Sequence, residues 1–180
     1  MSLDTMAQTI TVQTDRFDLR PLRRSDQGMI AHYGSDARLA RMTVTIPHPL
    51  PPGTAEAFVS RVLTPGSFER VWIVDGTKAD GPEFMGLIAL ECFEGSGQCE
   101  LSYWVAPPFW NTGIASDAVR ALVEANPSGA STMFASVFQD NPASAKVLTN
   151  CGFDYIGDAE AFSVARGSKV PTWTYIKRMR

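Results

Sequence analysis

Apolar and polar positions in the first part of the chain follow two different periods. Residues 9–12 and 17–22 alternate as β-strands do, with Asp15 at the turn between them. Ser25 and Asp26 are residue types that begin helices, and the apolar residues after them have an imperfect helical spacing. Residues 46–53 contain four prolines and cannot form regular structure. Thr54 is then expected to cap a helix over residues 54–63.

The second part of the chain predicts a sheet with one crossover. Strand patterns at 71–74, 84–93 and 100–105 are joined by turn-rich links, which favours an antiparallel meander. A helix at 115–125, a strand at 132–138, a helix at 142–150 and strands at 153–156 and 172–179 follow. The crossover through helix 115–125 makes strands 100–105 and 132–138 parallel. The order predicts an α+β fold with a mixed sheet.

Composition narrows the class of protein. The chain has 180 residues, of which 44% are hydrophobic and 19% charged, as expected for a single soluble domain spanning 1–180. The net charge of -3 argues against a nucleic-acid-binding surface, and the arginines at 16, 20, 23 and 24 are interpreted as a solvated face. The N-terminus does not resemble a signal peptide, and no apolar stretch is long enough to span a membrane.

Cysteines and histidines are few. Cys92, Cys99 and Cys151 contain no CxxC pair, and the two histidines give no zinc-ligand spacing, so no metal is expected. No disulfide framework is expected either, and a reducing, cytoplasmic location is the simpler interpretation.

The turn before helix 115–125 is the first candidate for chemistry. The segment from Trp110 to Ser116 combines a small-residue turn with a helix N-terminus, whose free N–H groups suit an anion such as pyrophosphate. Gly113 and Ala115 would let a phosphate approach the backbone. A glycine before a helix is more often only loop geometry, and the segment matches neither a P-loop nor a dinucleotide-binding turn.

The second candidate is the helix that begins at Asn141. Asn141 and Pro142 are residue types that start helices, and Gly152 ends this one. Those structural roles explain these residues, but they explain Ser144, inside the first turn, less well.

Together the two segments resemble the GNAT superfamily of acyl-CoA-dependent N-acyltransferases. Gly113 and Ala115 match the small positions of that family's [QR]xxGx[GA] motif, with Trp110 in the Gln/Arg place, as in the branch of the ribosomal-protein acetyltransferases RimJ and RimL. NxxSxKVLxxxGF, from Asn141 to Phe153, and RFDLRPL near the start also match that branch. The resemblance covers about residues 15–178 and implies a mostly antiparallel central sheet flanked by helices, with the βαβ crossover at the acyl-CoA site.

The resemblance implies an N-acetyltransferase that moves an acetyl group from acetyl-CoA directly to a primary amine. The cofactor would lie between strands 100–105 and 132–138, which splay apart. Asn141 would bind the pantetheine arm, and Lys146 is a weaker candidate for a CoA phosphate. Backbone groups near Trp104 and Val105 would pair with the pantetheine amides. The pyrophosphate would be bound by backbone N–H groups of Asn111, Thr112, Gly113, Ile114, Ala115 and Ser116.

The catalytic residues depart from the common pattern. Many members of the family have a tyrosine at the position of Leu148 to protonate the departing thiolate. Ser144 holds the place of the substitute proposed in the RimL-like branch, with bound water or Tyr155 as rivals. Glu100 is the candidate general base, against the alternative of an ordinary exposed strand residue.

The acceptor is expected to be a protein N-terminus or a small-molecule amine, with no nucleic acid or membrane partner and a homodimer as the base-rate expectation. The alternative function is a GNAT-fold module that binds CoA without turnover.

Overall fold

A computed structural model describes residues 10–180, so the predicted strand residue Thr9 lies outside the described part. Eight strands form in this part: β1 (Val12–Gln13), β2 (Asp18–Pro21), β3 (Glu69–Asp75), β4 (Gly86–Phe93), β5 (Gln98–Val105), β6 (Thr132–Phe138), β7 (Asp154–Ser163) and β8 (Ser168–Arg178). The α-helices are α1 (Gln27–Gly34), α2 (Ala37–Ala40), α3 (Thr54–Leu63), α4 (Ile114–Ala125) and α5 (Pro142–Asn150).

The strands form one mixed sheet in the order β1-β2-β3-β4-β5-β6-β8-β7. The β3-β4-β5 meander is antiparallel, and β5 and β6 are parallel, joined through α4. The other neighbouring strands are antiparallel. The α+β prediction, with its single crossover, is confirmed.

Helices cover both faces of the sheet, and β5 contributes to both layers. Its residues Cys99 and Leu101 belong to the apolar cluster that contains Val119 of α4 and Leu148 of α5. Trp104, by contrast, packs on the opposite cluster, which includes residues of α1 and α3. Because side chains alternate along a strand, odd-numbered residues of β5 face α4 and α5, and even-numbered residues face the other layer.

Most predicted elements differ from the observed ones by one or more residues at an end, and two differences, at the start of α3 and the end of β7, are described here. The N-cap of α3 is Gly53, at φ 83°, and Thr54 is the first helical residue, with its hydroxyl donating to the Pro51 carbonyl. β7 continues to Ser163, well past the predicted end at residue 156. β7 is an edge strand whose residues are mostly exposed, so its sequence lacks the alternation that reveals a half-buried strand.

Arg20 contradicts the interpretation of the N-terminal arginines as a solvated face. Its side chain is buried, and its Nε donates to Asp75 at 2.7 Å. Its two terminal nitrogens donate to Asp26 at 3.0 and 2.8 Å. Asp75 comes 55 residues after Arg20 in sequence, so no local pattern could reveal this cluster. Burying a guanidinium costs free energy unless it is paired and hydrogen-bonded. The three hydrogen bonds to Asp75 and Asp26 provide that pairing.

The expectation of no disulfide is also wrong. Cys92 and Cys99 are bonded to each other, and their Cα atoms are 4.1 Å apart. The two residues lie directly opposite each other on β4 and β5, because the hairpin register pairs them. The cysteine count therefore gives no support to a reducing compartment.

Within residues 10–180, no helix is both long enough and apolar enough to cross a membrane.

Candidate active site

A crevice opens in the sheet where β5 and β6 stop pairing. Their parallel register ends at Glu100 and Phe134, although β5 continues to Val105 and β6 to Phe138. β6 remains paired with β8 to its end, so the gap lies between β5 and β6 alone. The strands therefore separate on the side where α4 and α5 begin.

Backbone groups of alternate β5 residues point into this crevice. The N–H of Ala106 donates to the carbonyl of Met85, which directs the even-numbered residues of β5 towards β4. The N–H and C=O groups of Tyr103 and Val105 consequently face the gap. Trp104 contributes its side chain to the site, while its backbone is directed to β4.

One cavity of about 1670 Å³ contains this crevice. Ligand pockets usually have a volume of about 300–1,000 Å³, so this cavity has room for two reactants. It is lined by every site residue that the sequence predicted: Glu100, Trp104, Val105, Asn111, Thr112, Gly113, Ile114, Ala115, Ser116, Asn141, Ser144 and Lys146.

The turn before α4 presents free N–H groups to the cavity. Asn111 and Gly113 have φ values of 62° and 78°. The helix begins with the N–H of Asp117 donating to the Gly113 carbonyl, so the N–H groups between these residues have no partner within the helix. Arg16 stabilises the turn, because its guanidinium donates to the Thr112 carbonyl at 3.0 Å and to the Asp117 carboxylate at 2.7 Å. Sequence reasoning missed this role, because Arg16 lies about a hundred residues away.

The Trp110 side chain is hydrogen-bonded to the last residue of β5. Its indole N–H donates to the Val105 carbonyl at 2.6 Å, and the Arg38 guanidinium lies 5.3 Å from the centre of the Trp110 ring. The Val105 carbonyl therefore has a partner within the protein. The Val105 N–H and both backbone groups of Tyr103 are the groups of this strand end that point towards a ligand.

The first turn of α5 meets β5 across the crevice. Asn141 caps the helix as predicted, with its side-chain oxygen accepting the Ser144 N–H at 3.4 Å. The Ser144 hydroxyl lies 2.8 Å from the Tyr103 hydroxyl, which is also 3.0 Å from the Ser144 carbonyl. Sequence reasoning missed Tyr103, and the available signal was that odd-numbered β5 residues face α5.

Neither the position that carries a tyrosine in many family members, here Leu148, nor the rival donor Tyr155 lines the cavity. Leu148 is completely buried in the core. Tyr155 lies on the edge strand β7, exposed, with its hydroxyl donating to Asp158.

Three carboxylates lie side by side on the neighbouring strands β3, β4 and β5, at the other side of the cavity. Glu100 is directly opposite Glu91 on β4, and Glu91 is directly opposite Glu69 on β3. All three line the cavity, and Arg61 pairs with Glu69 at 3.1 Å. Burial raises the pKa of Glu100 above its ordinary value, and the negative charge of Glu91 raises it further. Sequence reasoning identified only Glu100 of the three.

Replacing Glu100 by Gln is expected to stabilise the protein at neutral pH. Like charges directly opposite each other cost roughly 0.2–1 kcal/mol, so their removal corresponds to an increase of about 0.4–4 °C in Tm for a chain of this size. The raised pKa means that the folded protein binds this proton more tightly than the unfolded chain does. The destabilising charge therefore develops as pH rises through the carboxyl range, and the gain from E100Q should disappear at acid pH.

Thermal melting across pH checks this prediction. E124Q is the matched control, because Glu124 is exposed on α4 and the substitution removes the same charge. A lower Tm for E100Q than for the unmodified protein at neutral pH would contradict the prediction.

The chain belongs to the GNAT acetyltransferase family. A family model described as an acetyltransferase (GNAT) domain matches residues 16–154. The Bacillus subtilis (strain 168) protein YoaA, described as an uncharacterized N-acetyltransferase, is 29% identical over 101 residues. That match covers 54% of this chain and 57% of YoaA, so the chain spans little more than half the length of this relative.

Solved structures show the same fold. RimL, a ribosomal L7/L12 alpha-N-protein acetyltransferase in complex with CoA, has a TM-score of 0.78 at 16% identity, over 94% of this chain and 98% of RimL. Spermidine N-acetyltransferase from Vibrio cholerae, in complex with CoA and spermine, has a TM-score of 0.74 at 17% identity, over 91% of this chain and 96% of that protein. The predicted resemblance to RimL is confirmed at the level of the fold. Among residues 10–180, no cluster of three or more His, Cys, Asp or Glu side chains is arranged to hold a metal ion.

Proposed function

We propose that this protein is an acetyl-CoA-dependent N-acetyltransferase that transfers the acetyl group directly to a primary amine. The observation that carries the proposal is the crevice between β5 and β6, which has free helix N–H groups beside it and a serine hydroxyl on its far side. Family membership supports the same chemistry.

The crevice fits an extended acyl-CoA. The pyrophosphate would accept hydrogen bonds from the N–H groups at the start of α4, where the helix dipole favours negative charge. The pantetheine arm would lie along β5 and pair with Tyr103 and Val105. The side-chain amide nitrogen of Asn141 would bind the same arm, and exposed Lys146 would bind a CoA phosphate. This arrangement leaves the thioester near Ser144.

Transfer is a direct attack of the amine on the thioester. The amine must be neutral, since an ammonium ion has no lone pair. Its nitrogen forms a bond to the carbonyl carbon, and a backbone N–H of β5 stabilises the charge on the carbonyl oxygen. The C–S bond then breaks, with its electron pair going to sulfur. Glu100 accepts the proton from nitrogen and later releases it to solvent. Ser144 donates a hydrogen bond to the thiolate, which takes a proton from solvent water to give CoA.

The acceptor is proposed only as a class. RimL acts on a protein, whereas the Vibrio cholerae enzyme is named for spermidine, so similar folds serve different amines. Resemblance to RimL favours a protein N-terminus over a small-molecule amine. A homodimer and a cytoplasmic location stay predictions.

A thiol-release screen tests the function. Acetyl-CoA is incubated with N-terminal peptides, amino acids, polyamines and aminoglycosides, and free CoA is measured. Turnover with at least one amine and intersecting steady-state kinetics are expected. An acetyl-enzyme with ping-pong kinetics would overturn direct transfer. The absence of a tyrosine at Leu148 favours one second candidate, the non-catalytic module, which predicts tight CoA binding with no turnover on any amine.

A further inference from the structure

We propose that Tyr103 is a positioning residue, whose hydroxyl aims the Ser144 hydroxyl at the sulfur of bound CoA. This inference rests on the proposed function. It is carried by a contact between two walls of the site: the Tyr103 hydroxyl, on β5, lies 2.8 Å from the Ser144 hydroxyl, in the first turn of α5. No other side-chain partner of the Ser144 hydroxyl is found in the described part of the chain.

The count of protons decides what this contact can do. The phenol has one proton and two acceptors on the same residue, the Ser144 hydroxyl at 2.8 Å and the Ser144 carbonyl at 3.0 Å. If the phenol donates to the carbonyl, the serine hydroxyl is free to donate back to the phenol. If the phenol donates to the serine oxygen, the serine proton is directed away from Tyr103, towards the cavity. Negative charge on the CoA sulfur favours the second arrangement, in which the two hydrogen bonds strengthen each other.

The electrostatics of Tyr103 favour positioning over proton donation. Burial is the largest cause that raises the pKa of Tyr103 above its ordinary value. The phenol therefore remains neutral and keeps its proton, so that it can always donate a hydrogen bond to Ser144. A tyrosinate at this place would be costly, which makes Tyr103 a poor final source of the thiol proton. Tyr103 acts through Ser144.

The pKa of the bound CoA thiol tests this role without any acceptor amine. The thiolate is followed by its ultraviolet absorbance as a CoA complex is titrated, with the free protein subtracted. Loss of one hydrogen bond to the charged thiolate raises its pKa by roughly 1–2, so Ser144→Ala is expected to raise the pKa of bound thiol by that amount. Tyr103→Phe keeps the ring and should raise it by a smaller amount.

The double variant separates positioning from a structural effect. Adding Tyr103→Phe to Ser144→Ala should cause no further rise in the thiol pKa, since Tyr103 has nothing left to aim. CoA affinity and Tm should be nearly unchanged. Tyr155→Phe, which removes an exposed hydroxyl outside the cavity, is the matched control and should leave the thiol pKa as it was.

The outcomes distinguish this inference from the proposed function. Failure of the unmodified protein to bind CoA would overturn the proposed function itself. CoA binding with one thiol pKa in all variants would overturn the hydrogen bond from Ser144 to the thiolate and, with it, the role of Tyr103. Additive effects of the two substitutions would overturn only the role of Tyr103. Where an acceptor is known, Tyr103→Phe should also lower kcat roughly two- to tenfold with little change in KM, as expected for one hydrogen bond that acts in the transition state.

Discussion

Replacing Gly113 by Val is expected to remove most CoA affinity from a protein that still folds. The residue lies at the N-terminus of α4, at the turn whose N–H groups would receive the pyrophosphate. A branched side chain would stand where the phosphates approach the backbone. Loss of only two charge-assisted hydrogen bonds, at about 1.5–3 kcal/mol each, lowers affinity by roughly a hundredfold or more.

The protein itself has room for the first atom of the new side chain. A Cβ at Gly113 would lie 3.5 Å from a terminal nitrogen of Arg16, which is an ordinary contact. The positive φ of 78° adds strain of about 1–2 kcal/mol for an L-residue. That strain corresponds to a decrease of roughly 2–8 °C in Tm. The expected loss of binding therefore comes mainly from the ligand side.

Gly129 provides a matched control for the strain. It follows the same helix at its other end, has a φ of 61°, has open space for a Cβ and does not line the cavity. Both Gly113→Val and Gly129→Val should melt at lower temperature, but only the first should lose CoA affinity in isothermal titration calorimetry. Equal CoA affinities for the two folded variants would refute the placement of the pyrophosphate.

The fold was predictable from sequence where periodicity is strong. β6 and α5 have the predicted bounds, because each has a buried face and clear end signals. The second half of β7 was missed because an exposed edge strand has no apolar alternation. The disulfide was missed for another reason: it depends on the register of the β4–β5 hairpin, which places Cys92 opposite Cys99.

The sequence predicts the motif residues of the candidate site better than it predicts the long-range contacts between its residues. The sequence predicts Gly113, Asn141 and Ser144 because each belongs to a motif that lies within one continuous segment of the chain. Tyr103 lies 41 residues before Ser144, and only the tertiary fold brings their hydroxyls to 2.8 Å. Glu91 has no motif of its own, and its part in the site follows from strand register opposite Glu100. Local sequence patterns do not contain such long-range pairings.

Removing the Ser144 hydroxyl is expected to lower kcat by roughly ten- to a hundredfold, because a hydrogen bond to the charge that develops on sulfur contributes about 1.5–3 kcal/mol. KM for acetyl-CoA should change little, because the turn before α4 and Asn141 would still hold the cofactor. A kcat loss without a matching KM change marks an interaction made mainly in the transition state. Single-turnover acetyl transfer to an amine identified by the screen measures the effect directly.

The structure argues that Ser144→Ala leaves the fold nearly intact. In that variant the Tyr103 hydroxyl still has the backbone carbonyl of residue 144 as an acceptor, at 3.0 Å in the present structure, so no buried donor is stranded. Ser131→Ala is the matched control, since the Ser131 hydroxyl donates to the Gly97 carbonyl at 2.9 Å and lies outside the cavity. Both variants should melt close to the unmodified protein, and only Ser144→Ala should be slow. A transfer rate within about twofold of the unmodified protein, below the effect expected of one hydrogen bond to a charged sulfur, would mean that the departing thiolate needs no hydrogen bond from Ser144.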